Sequence, residues 1–262
     1  MTDRPLITIA TVTYNAEATL ERTLESVARQ TYRPVEHLIV DGCSTDRTIS
    51  LVRHYIEHNA DPRRLIIRVV REPDAGLYDA MNKALRLATG DYIVFLNAGD
   101  MLHADDTLQT VVQAAAWRRG GLNPAVIYGQ TDIVDNQGHF LHPRHLVAPD
   151  QLRKDSYLDG MLVCHQSLYV RTDIARAFPY DLRYRFSADY DWSIRILERA
   201  ERRRLPVVNA QCVLTDYLNE GMTTRNHRQS LLERLRIMAR HFGWTRTLAR
   251  HAWFVFRALR RS

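Results

Sequence analysis

The first hundred residues alternate short apolar segments with segments of helical periodicity, and this alternation limits the fold more than any other feature. The apolar and β-branched segments comprise residues 6–13, 37–40, 65–70 and 92–96. They carry few charges, which predicts strands that are buried on both faces. After the first segment, Leu20, Leu24 and Val27 recur at helical spacing behind Asn15, a candidate N-cap. The alternation predicts a largely parallel, doubly wound α/β sheet.

Three acidic residues, Asp41, Asp74 and Asp100, follow predicted strands. In doubly wound sheets, ligands bind outside the carboxyl ends of the strands, so we expect a site there. A carboxylate with open coordination positions suits Mg²⁺ or Mn²⁺, and Asp100 is the candidate ligand. The spacing alone leaves a second interpretation open, in which Asp100 is a loop residue that caps the next helix.

The second part of the chain has a different pattern. Short strands are predicted at residues 126–128, 133–134 and 207–214, and a helix is predicted at residues 189–198. We expect this mixed α+β part to complete the same sheet, because 262 residues suit one large domain or two intimate halves. The ordinary composition, 45% hydrophobic and 25% charged, excludes a disordered chain.

Charge is concentrated at the C-terminal end of the chain. Residues 225–262 contain ten arginines against one acid, Glu233, which leaves −3 on the rest of a chain whose net charge is +6. A mildly acidic body argues against nucleic-acid binding. The basic segment instead indicates contact with an anionic surface.

Several protein classes are excluded because the sequence lacks their characteristic motifs. The eleven glycines never form GxGxxG or GxxxxGK[ST], which argues against Rossmann-type oxidoreductases and P-loop NTPases. Three widely spaced cysteines without CxxC predict neither a disulfide framework nor a zinc knuckle. No run of about 18 apolar residues and no signal-peptide pattern occurs, so we expect a cytoplasmic protein.

Five segments, taken in order, resemble glycosyltransferase family 2. They are Val12–Asn15, Leu38–Asp46, Glu72–Lys83, Ala88–Tyr92 and Phe95–Asp100. The third is similar to a bacterial subgroup that builds exopolysaccharides such as colanic acid. The resemblance covers roughly residues 6–225 and implies a GT-A fold and an inverting, metal-dependent transfer from a nucleotide-sugar donor. It divides this domain into a nucleotide-sugar half, residues 1–100, and an acceptor half, residues 101–225.

The resemblance also implies roles for individual residues at the donor. Thr13 and Tyr14 match positions that line the base and ribose, and Asp41 matches the acid that accepts a hydrogen bond from the base, commonly uracil. Asp100 matches the metal ligand, although Asn97 and Gly99 stand where acids often occur. The other implied donor-binding residues are Glu72, Asp74, Asn82 and Asn97.

For the acceptor, the resemblance implies that Asp189 is the base that takes the proton from the acceptor hydroxyl, and that Asp191 lies at the acceptor cleft as a supporting residue or helix cap. Alternatively, both acids only stabilise the N-terminus of a helix, where the helix dipole favours negative charge. His165 and Gln166 match residues that line the cleft, and a core or surface histidine is the alternative for His165. Residues 221–224 are similar to a segment that closes over the diphosphate.

Residues 226–262 are predicted to form a basic, amphipathic helical tail. Leu248, Ala252, Val255 and Leu259 recur at helical spacing among arginines, which favours a helix lying on an anionic membrane surface. This would suit a lipid-linked glycan acceptor and a peripheral location at the inner face of the cell membrane. The alternative is a pair of helices packed on the body or on another subunit. For the chain as a whole, a non-catalytic nucleotide-sugar-binding or scaffold protein remains the second hypothesis.

Overall fold

The computed structural model describes residues 4–61, 63–118, 120–219 and 227–259. Within them, nine strands form a single sheet. The strands are β1 (Ile7–Thr13), β2 (Val35–Asp41), β3 (Leu65–Arg71), β4 (Tyr92–Phe95), β5 (Met101–Leu102), β6 (Val126–Val134), β7 (Phe140–Pro143), β8 (Leu168–Arg171) and β9 (Val207–Leu218).

Eight α-helices and two 3₁₀ helices occur in the same residues. The α-helices are α1 (Leu20–Ala28), α2 (Thr48–Asn59), α3 (Leu77–Leu87), α4 (Thr107–Ala115), α5 (Thr172–Arg176), α6 (Ala188–Arg202), α7 (His227–Phe242) and α8 (Trp244–Leu259). The first 3₁₀ helix is Lys154–Asp159 and the second is His165–Ser167. In the described part of the chain, no helix is both long enough and apolar enough to cross a bilayer.

The sheet has the order β3-β2-β1-β4-β8-β6-β9-β5, and β7 pairs with β6 beside this path. Strands β3, β2, β1 and β4 are parallel, and β8 is antiparallel to both β4 and β6. The α/β fold predicted from the alternation is confirmed, with its parallel part in the first hundred residues and a mixed second part. Thr13 and Asp41 lie at matched positions at the carboxyl ends of β1 and β2.

Helices cover both faces of the sheet, which explains why β1 is buried along its whole length. Ile7 and Ile9 belong to the core cluster that includes residues of α1, α2 and α4, whereas Ala10 and Val12 belong to the cluster that includes residues of α3 and α6. Because successive side chains of a strand face opposite sides, a strand covered on both faces must be apolar throughout.

Two local predictions are wrong. The strands predicted at residues 126–128 and 133–134 are one strand, β6. A Cβ at Gly129 would lie 2.6 Å from the carbonyl oxygen of Cys212, so this glycine permits the close approach of β9 instead of ending the strand. Asn15 has a positive φ of 48° and does not cap α1, which begins at Leu20. Its side-chain oxygen accepts a hydrogen bond from the Thr45 N–H instead.

Candidate active site

Four predicted donor residues gather around Gly42, at the carboxyl end of β2. A Cβ at Gly42 would lie 2.5 Å from Oδ2 of Asp74 and 3.3 Å from the ring of Tyr14, so only glycine leaves room for both. The Tyr14 side chain is 64% exposed, which leaves its ring open for stacking. The Thr13 hydroxyl is buried and has no hydrogen-bond partner in the described structure. Asp41 completes the group by accepting hydrogen bonds from Ser44.

The Asp41 carboxylate is fully buried and already has several partners. Its Oδ2 accepts from the Ser44 N–H at 2.9 Å and lies 3.4 Å from Nε of Arg71, while its Oδ1 accepts from the Ser44 hydroxyl at 2.5 Å. These contacts hold the loop after β2 against β3. The expected hydrogen bond from a base to Asp41 therefore needs one of the remaining lone pairs of this carboxylate.

The segment before α3 is held by a buried lysine. Nζ of Lys83 donates to the Pro73 carbonyl at 2.5 Å and lies 3.2 Å from the Glu72 carboxylate, whose side chain is 49% exposed. Asn82 has a different role from the one expected. Its Nδ2 donates to the Tyr180 carbonyl at 3.0 Å and its Oδ1 accepts from the Tyr180 N–H at 2.7 Å. Asn82 thus clamps α3 to the loop before α6, and the structure does not support the expected donor contact.

A four-residue turn after β4 carries the predicted metal ligand. The Asp100 N–H donates to the Asn97 carbonyl, and both side chains contact the second 3₁₀ helix. Nε2 of Gln166 donates to Oδ2 of Asp100 at 2.9 Å, and the Leu218 N–H donates to Oδ1 at 3.0 Å. Nδ2 of Asn97 lies 3.2 Å from Nε2 of His165. The turn is therefore fixed by the second 3₁₀ helix and the end of β9.

The chemistry of this turn fits a hard divalent cation. Burial raises the pKa of Asp100 to about 6, although the hydrogen bonds from Leu218 and Gln166 oppose the shift. Oδ1 of Asn97 is buried without a hydrogen-bond partner in the described residues. The Asn97 amide oxygen therefore lacks a hydrogen-bond donor, and the buried Asp100 carboxylate would be stabilised by a nearby positive charge. Both are oxygen ligands of the kind that Mg²⁺ and Mn²⁺ prefer.

The predicted base, Asp189, lies in the first turn of α6 and receives three hydrogen bonds. Its Oδ2 lies 3.1 Å from Nδ1 of His165, and its Oδ1 accepts from the Tyr78 hydroxyl at 3.0 Å and from the Tyr190 N–H at 2.9 Å. Burial alone would raise the pKa of Asp189, but the hydrogen bonds from His165 and Tyr78 and the nearby Arg234 charge lower it overall. The carboxylate is therefore ionised at neutral pH.

His165 connects the predicted base to the turn that carries the predicted metal ligand. One of its ring nitrogens contacts Asp189 and the other contacts Asn97, while the next residue, Gln166, contacts Asp100. The sequence resemblance placed these residues in one cleft, and the structure joins them through one continuous set of hydrogen bonds.

Comparison with known proteins shows the family to which the chain belongs. The sequence profile described as "Glycosyl transferase family 2" matches residues 8–178. The chain belongs to this family. It is also 37% identical over 193 residues to a PGL/p-HBAD biosynthesis glycosyltransferase of Mycobacterium bovis, covering 73% of this chain and 69% of that protein. A putative teichuronic acid biosynthesis glycosyltransferase of Bacillus subtilis, TuaG, is 36% identical over 102 residues, 39% of each chain.

Solved structures share the fold at low sequence identity. TarS of Staphylococcus aureus in complex with UDP aligns with a TM-score of 0.65 at 16% identity, covering 90% of this chain but only 64% of that chain. The mannosyltransferase PcManGT of Pyrobaculum calidifontis in complex with GDP-Man and Mn²⁺ aligns with a TM-score of 0.61 at 22% identity, covering 90% of this chain and 65% of the other.

In this family 2 glycosyltransferase, Asp191 is placed apart from the residues around Asp189. Its buried carboxylate bonds to Nε of Arg195 and Nε2 of His241, each at 2.7 Å. The hydrogen bonds from His241 and Arg195 lower the pKa of Asp191, although burial alone would raise it. Asp191 therefore ties α7 to α6, and its contacts do not place it in the acceptor cleft where it was expected.

Two contacts in the glycosyltransferase site were missed by sequence reasoning. Tyr78 lies within the segment that resembles the exopolysaccharide subgroup, yet nothing in that segment indicates that its hydroxyl reaches a helix about a hundred residues later. The Leu218 contact to Asp100 uses a backbone N–H, which no side-chain pattern reveals. Cys164, which directly precedes His165, is buried, and burial raises the pKa of its thiol, so this residue is not an activated nucleophile. The similarity noted at residues 221–224 lies outside the described residues.

Proposed function

We propose that this enzyme transfers a sugar from a nucleoside diphosphate sugar to a hydroxyl of a glycan acceptor, with inversion at the anomeric carbon and with a divalent cation. The observation that carries the proposal is the hydrogen-bonded connection from Asp189 through His165 to the turn of Asn97 and Asp100. This connection links a candidate proton acceptor and candidate cation ligands through two consecutive residues of one short 3₁₀ helix, which supports a displacement reaction at a sugar bound near them.

The donor nucleotide would lie against the group around Gly42. The exposed ring of Tyr14 offers a stacking surface for a base, and the Thr13 hydroxyl offers a free polar atom. The structural relatives with UDP, UDP-GlcNAc and GDP-Man support a nucleotide-sugar donor. We favour a UDP-sugar, with a GDP-sugar as the alternative.

The divalent cation would be held by Asp100 and by the side-chain oxygen of Asn97. When bound, Mg²⁺ or Mn²⁺ supplies positive charge that stabilises the departing nucleoside diphosphate. Gln166 and the Leu218 N–H orient the Asp100 carboxylate, and burial excludes bulk water from it. The structural relative determined with Mn²⁺ supports the choice of ion.

Asp189 would act at the acceptor. Its ionised carboxylate takes the proton of the acceptor hydroxyl as the oxygen attacks the anomeric carbon. The new glycosidic C–O bond forms while the bond to the diphosphate breaks, and the electron pair leaves with the nucleoside diphosphate. Attack from the face opposite the leaving group inverts the configuration in one step, through an oxocarbenium-like transition state. His165 and Tyr78 keep the carboxylate oriented and charged.

The acceptor is proposed to be a lipid-linked glycan in the assembly of a bacterial surface polysaccharide or glycolipid. The names of relatives that act in PGL/p-HBAD and teichuronic acid biosynthesis support this class, as does the similarity of Glu72–Lys83 to the exopolysaccharide subgroup. Trp244 and Leu248 of α8 are 58% and 56% exposed, which suits contact with a membrane surface. Arg246 and Arg250, however, pair with Asp155 and Asp159 of the first 3₁₀ helix, so one side of α8 packs on the body.

Turnover by an Asp189→Asn variant tests the assignment. The full chain is first screened by thermal shift against UDP-, GDP- and dTDP-sugars with and without Mn²⁺, because a true donor must raise the melting temperature. With that donor we expect Asp189→Asn to lower kcat by about 10²- to 10⁴-fold while the donor-dependent thermal shift is kept.

The matched control is Asp173→Asn, which changes an exposed carboxylate of α5 and should keep wild-type turnover. Equal turnover in Asp189→Asn and the wild type would contradict the assignment of the base. Donor binding by the wild type without release of nucleoside diphosphate would instead favour the non-catalytic alternative.

A further inference from the structure

Three metal-ligating side chains meet on neighbouring strands, away from the residues assigned to catalysis. His103 follows β5, Asp132 lies on β6 and Asp216 lies on β9. Asp132 and Asp216 occupy matched positions of the parallel pair β6–β9, and β5 pairs with β9 at the same place. One nitrogen or oxygen atom from each of the three side chains lies within 4.8 Å of the others.

The charges in this group are unbalanced. Two carboxylates at matched positions of adjacent strands repel each other. Nδ1 of His103 lies 2.7 Å from Oδ1 of Asp216, which satisfies that carboxylate. No hydrogen bond among the described residues reaches the Asp132 carboxylate, although this side chain is partly buried. A divalent cation between the three side chains would neutralise both acids at once.

The group lies on the face of the sheet opposite the second 3₁₀ helix. Thr131 and Thr215, the neighbours of the two acids in sequence, bond to Ser167 and Gln166 of that helix. Because successive side chains alternate between faces, Asp132 and Asp216 project from the other face. His103 also lines a surface hollow of about 210 Å³ with Thr107, Thr110 and Cys212, and its side chain is 40% exposed, so this ligand is open to solvent.

We propose that His103, Asp132 and Asp216 form a second cation site, separate from Asp100, that binds a divalent transition metal of the Zn²⁺ type. One imidazole and two carboxylates supply the nitrogen and oxygen ligands that Zn²⁺ accepts, and solvent can complete a tetrahedral set. The ion would join β5, β9 and β6. Asp100 directly precedes β5, and Leu218, its backbone partner, ends β9. The second site would therefore stabilise the strands that position the turn of Asn97 and Asp100.

Zinc binding is measured on the full chain without any donor, so the result does not depend on the proposed transferase activity. A second group, His54, Glu57 and His58, is exposed on α2 and can also bind Zn²⁺. The double substitution His54→Gln/His58→Gln removes this second group, and the resulting variant serves as the parent for the experiment. Isothermal titration calorimetry of this parent with Zn²⁺ should show one equivalent of bound zinc. This equivalent should be absent when Asp132→Asn is introduced into the parent. At a free Zn²⁺ concentration about 100-fold above Kd, the parent should melt roughly 5–10 °C higher than in EDTA, and the added variant should lose this rise.

Two controls separate metal binding from a fold defect. Asp106→Asn removes an exposed carboxylate at the hollow but outside the three-residue group, and it should keep the zinc equivalent. In EDTA, Asp132→Asn should melt close to the parent, because it removes an attraction to His103 together with a repulsion from Asp216 and breaks no hydrogen bond found among the described residues. The proposal is overturned if the parent and Asp132→Asn bind the same number of zinc ions, or if Asp106→Asn abolishes the equivalent as well.

Discussion

At the scale of single residues, the state of Asp189 depends on its hydrogen-bond donors. Burial alone would raise the pKa of this carboxyl, and the hydrogen bonds from His165 and Tyr78, together with the charge of Arg234, reverse that effect. A hydrogen bond to an ionised group contributes about 1.5–3 kcal/mol, which corresponds to roughly one or two pKa units. The two hydrogen-bond donors therefore contribute to the pH at which the proposed base becomes ionised.

Removing the Tyr78 hydroxyl is expected to shift the pH dependence of the enzyme. In Tyr78→Phe the ionised form of Asp189 loses one donor, so its pKa rises and the carboxylate becomes protonated at a higher pH. At a saturating concentration of divalent cation, which keeps Asp100 ionised, the acid limb of the kcat/KM profile should move upward by about one pH unit, while kcat/KM at high pH changes little.

Tyr180→Phe is the matched control for Tyr78→Phe. The Tyr180 ring stacks on Tyr78 with centroids 5.4 Å apart, and its buried hydroxyl has no hydrogen-bond partner in the described residues. This control should leave the acid limb in place. An acid limb that is unmoved in Tyr78→Phe would argue that Asp189 is not the titrating base.

At the scale of elements, α7 is part of the body. Ile237, Met238 and Phe242 belong to the same buried cluster as residues of α3 and α6. The carboxylate of Asp191 in α6 bonds to His241 near the end of α7. We therefore place α7 with the transferase domain, although sequence patterning assigned it to a separate tail.

Asp191→Ala is expected to destabilise the fold without removing the chemistry. The change leaves Arg195 and His241 without their shared carboxylate, which costs about 3 kcal/mol for a buried pair and lowers the melting temperature by roughly 6–12 °C. Thermal unfolding measures the loss. Turnover per folded molecule, measured well below the transition, should stay near that of the wild type. A large loss of turnover with unchanged stability would return Asp191 to the cleft.

The elements that could be predicted from the sequence are those whose patterns are local. Strands β1 and β2 are continuous apolar segments, and α1 has a clear apolar face, so each was found within a few residues of its observed bounds. The continuity of β6 through Gly129 depends on how closely β9 approaches, and the role of Asn82 depends on the backbone of Tyr180. Both depend on contacts between distant parts of the chain, which local patterns do not contain. The candidate site follows the same division. Asp100, His165 and Asp189 lie in recognisable motifs, whereas Tyr78 and the Leu218 N–H do not.

At the scale of the whole molecule, the exposed side of α8 is the surface proposed to meet an anionic membrane. Replacing Trp244 and Leu248 by Ser should weaken binding to phosphatidylglycerol-rich vesicles by about tenfold or more, because each side chain contributes apolar area. Vesicle co-sedimentation measures the change.

Leu122→Ser serves as the control for the α8 variant, since this leucine is 71% exposed and lies outside both C-terminal helices. It should bind vesicles like the wild type. Unchanged vesicle binding by the α8 variant, together with a change in oligomeric state on size exclusion, would favour the alternative that α8 packs on another subunit.

The second 3₁₀ helix also limits how such an enzyme can diversify. His165 serves the proton acceptor and Gln166 serves the cation ligand, and the two are consecutive residues whose Cα atoms are about 3.8 Å apart. In the proposed mechanism, the proton acceptor and the cation ligand are therefore oriented from two neighbouring positions of one short helix. Substitutions on other elements could then exchange one sugar or acceptor for another without altering this pairing.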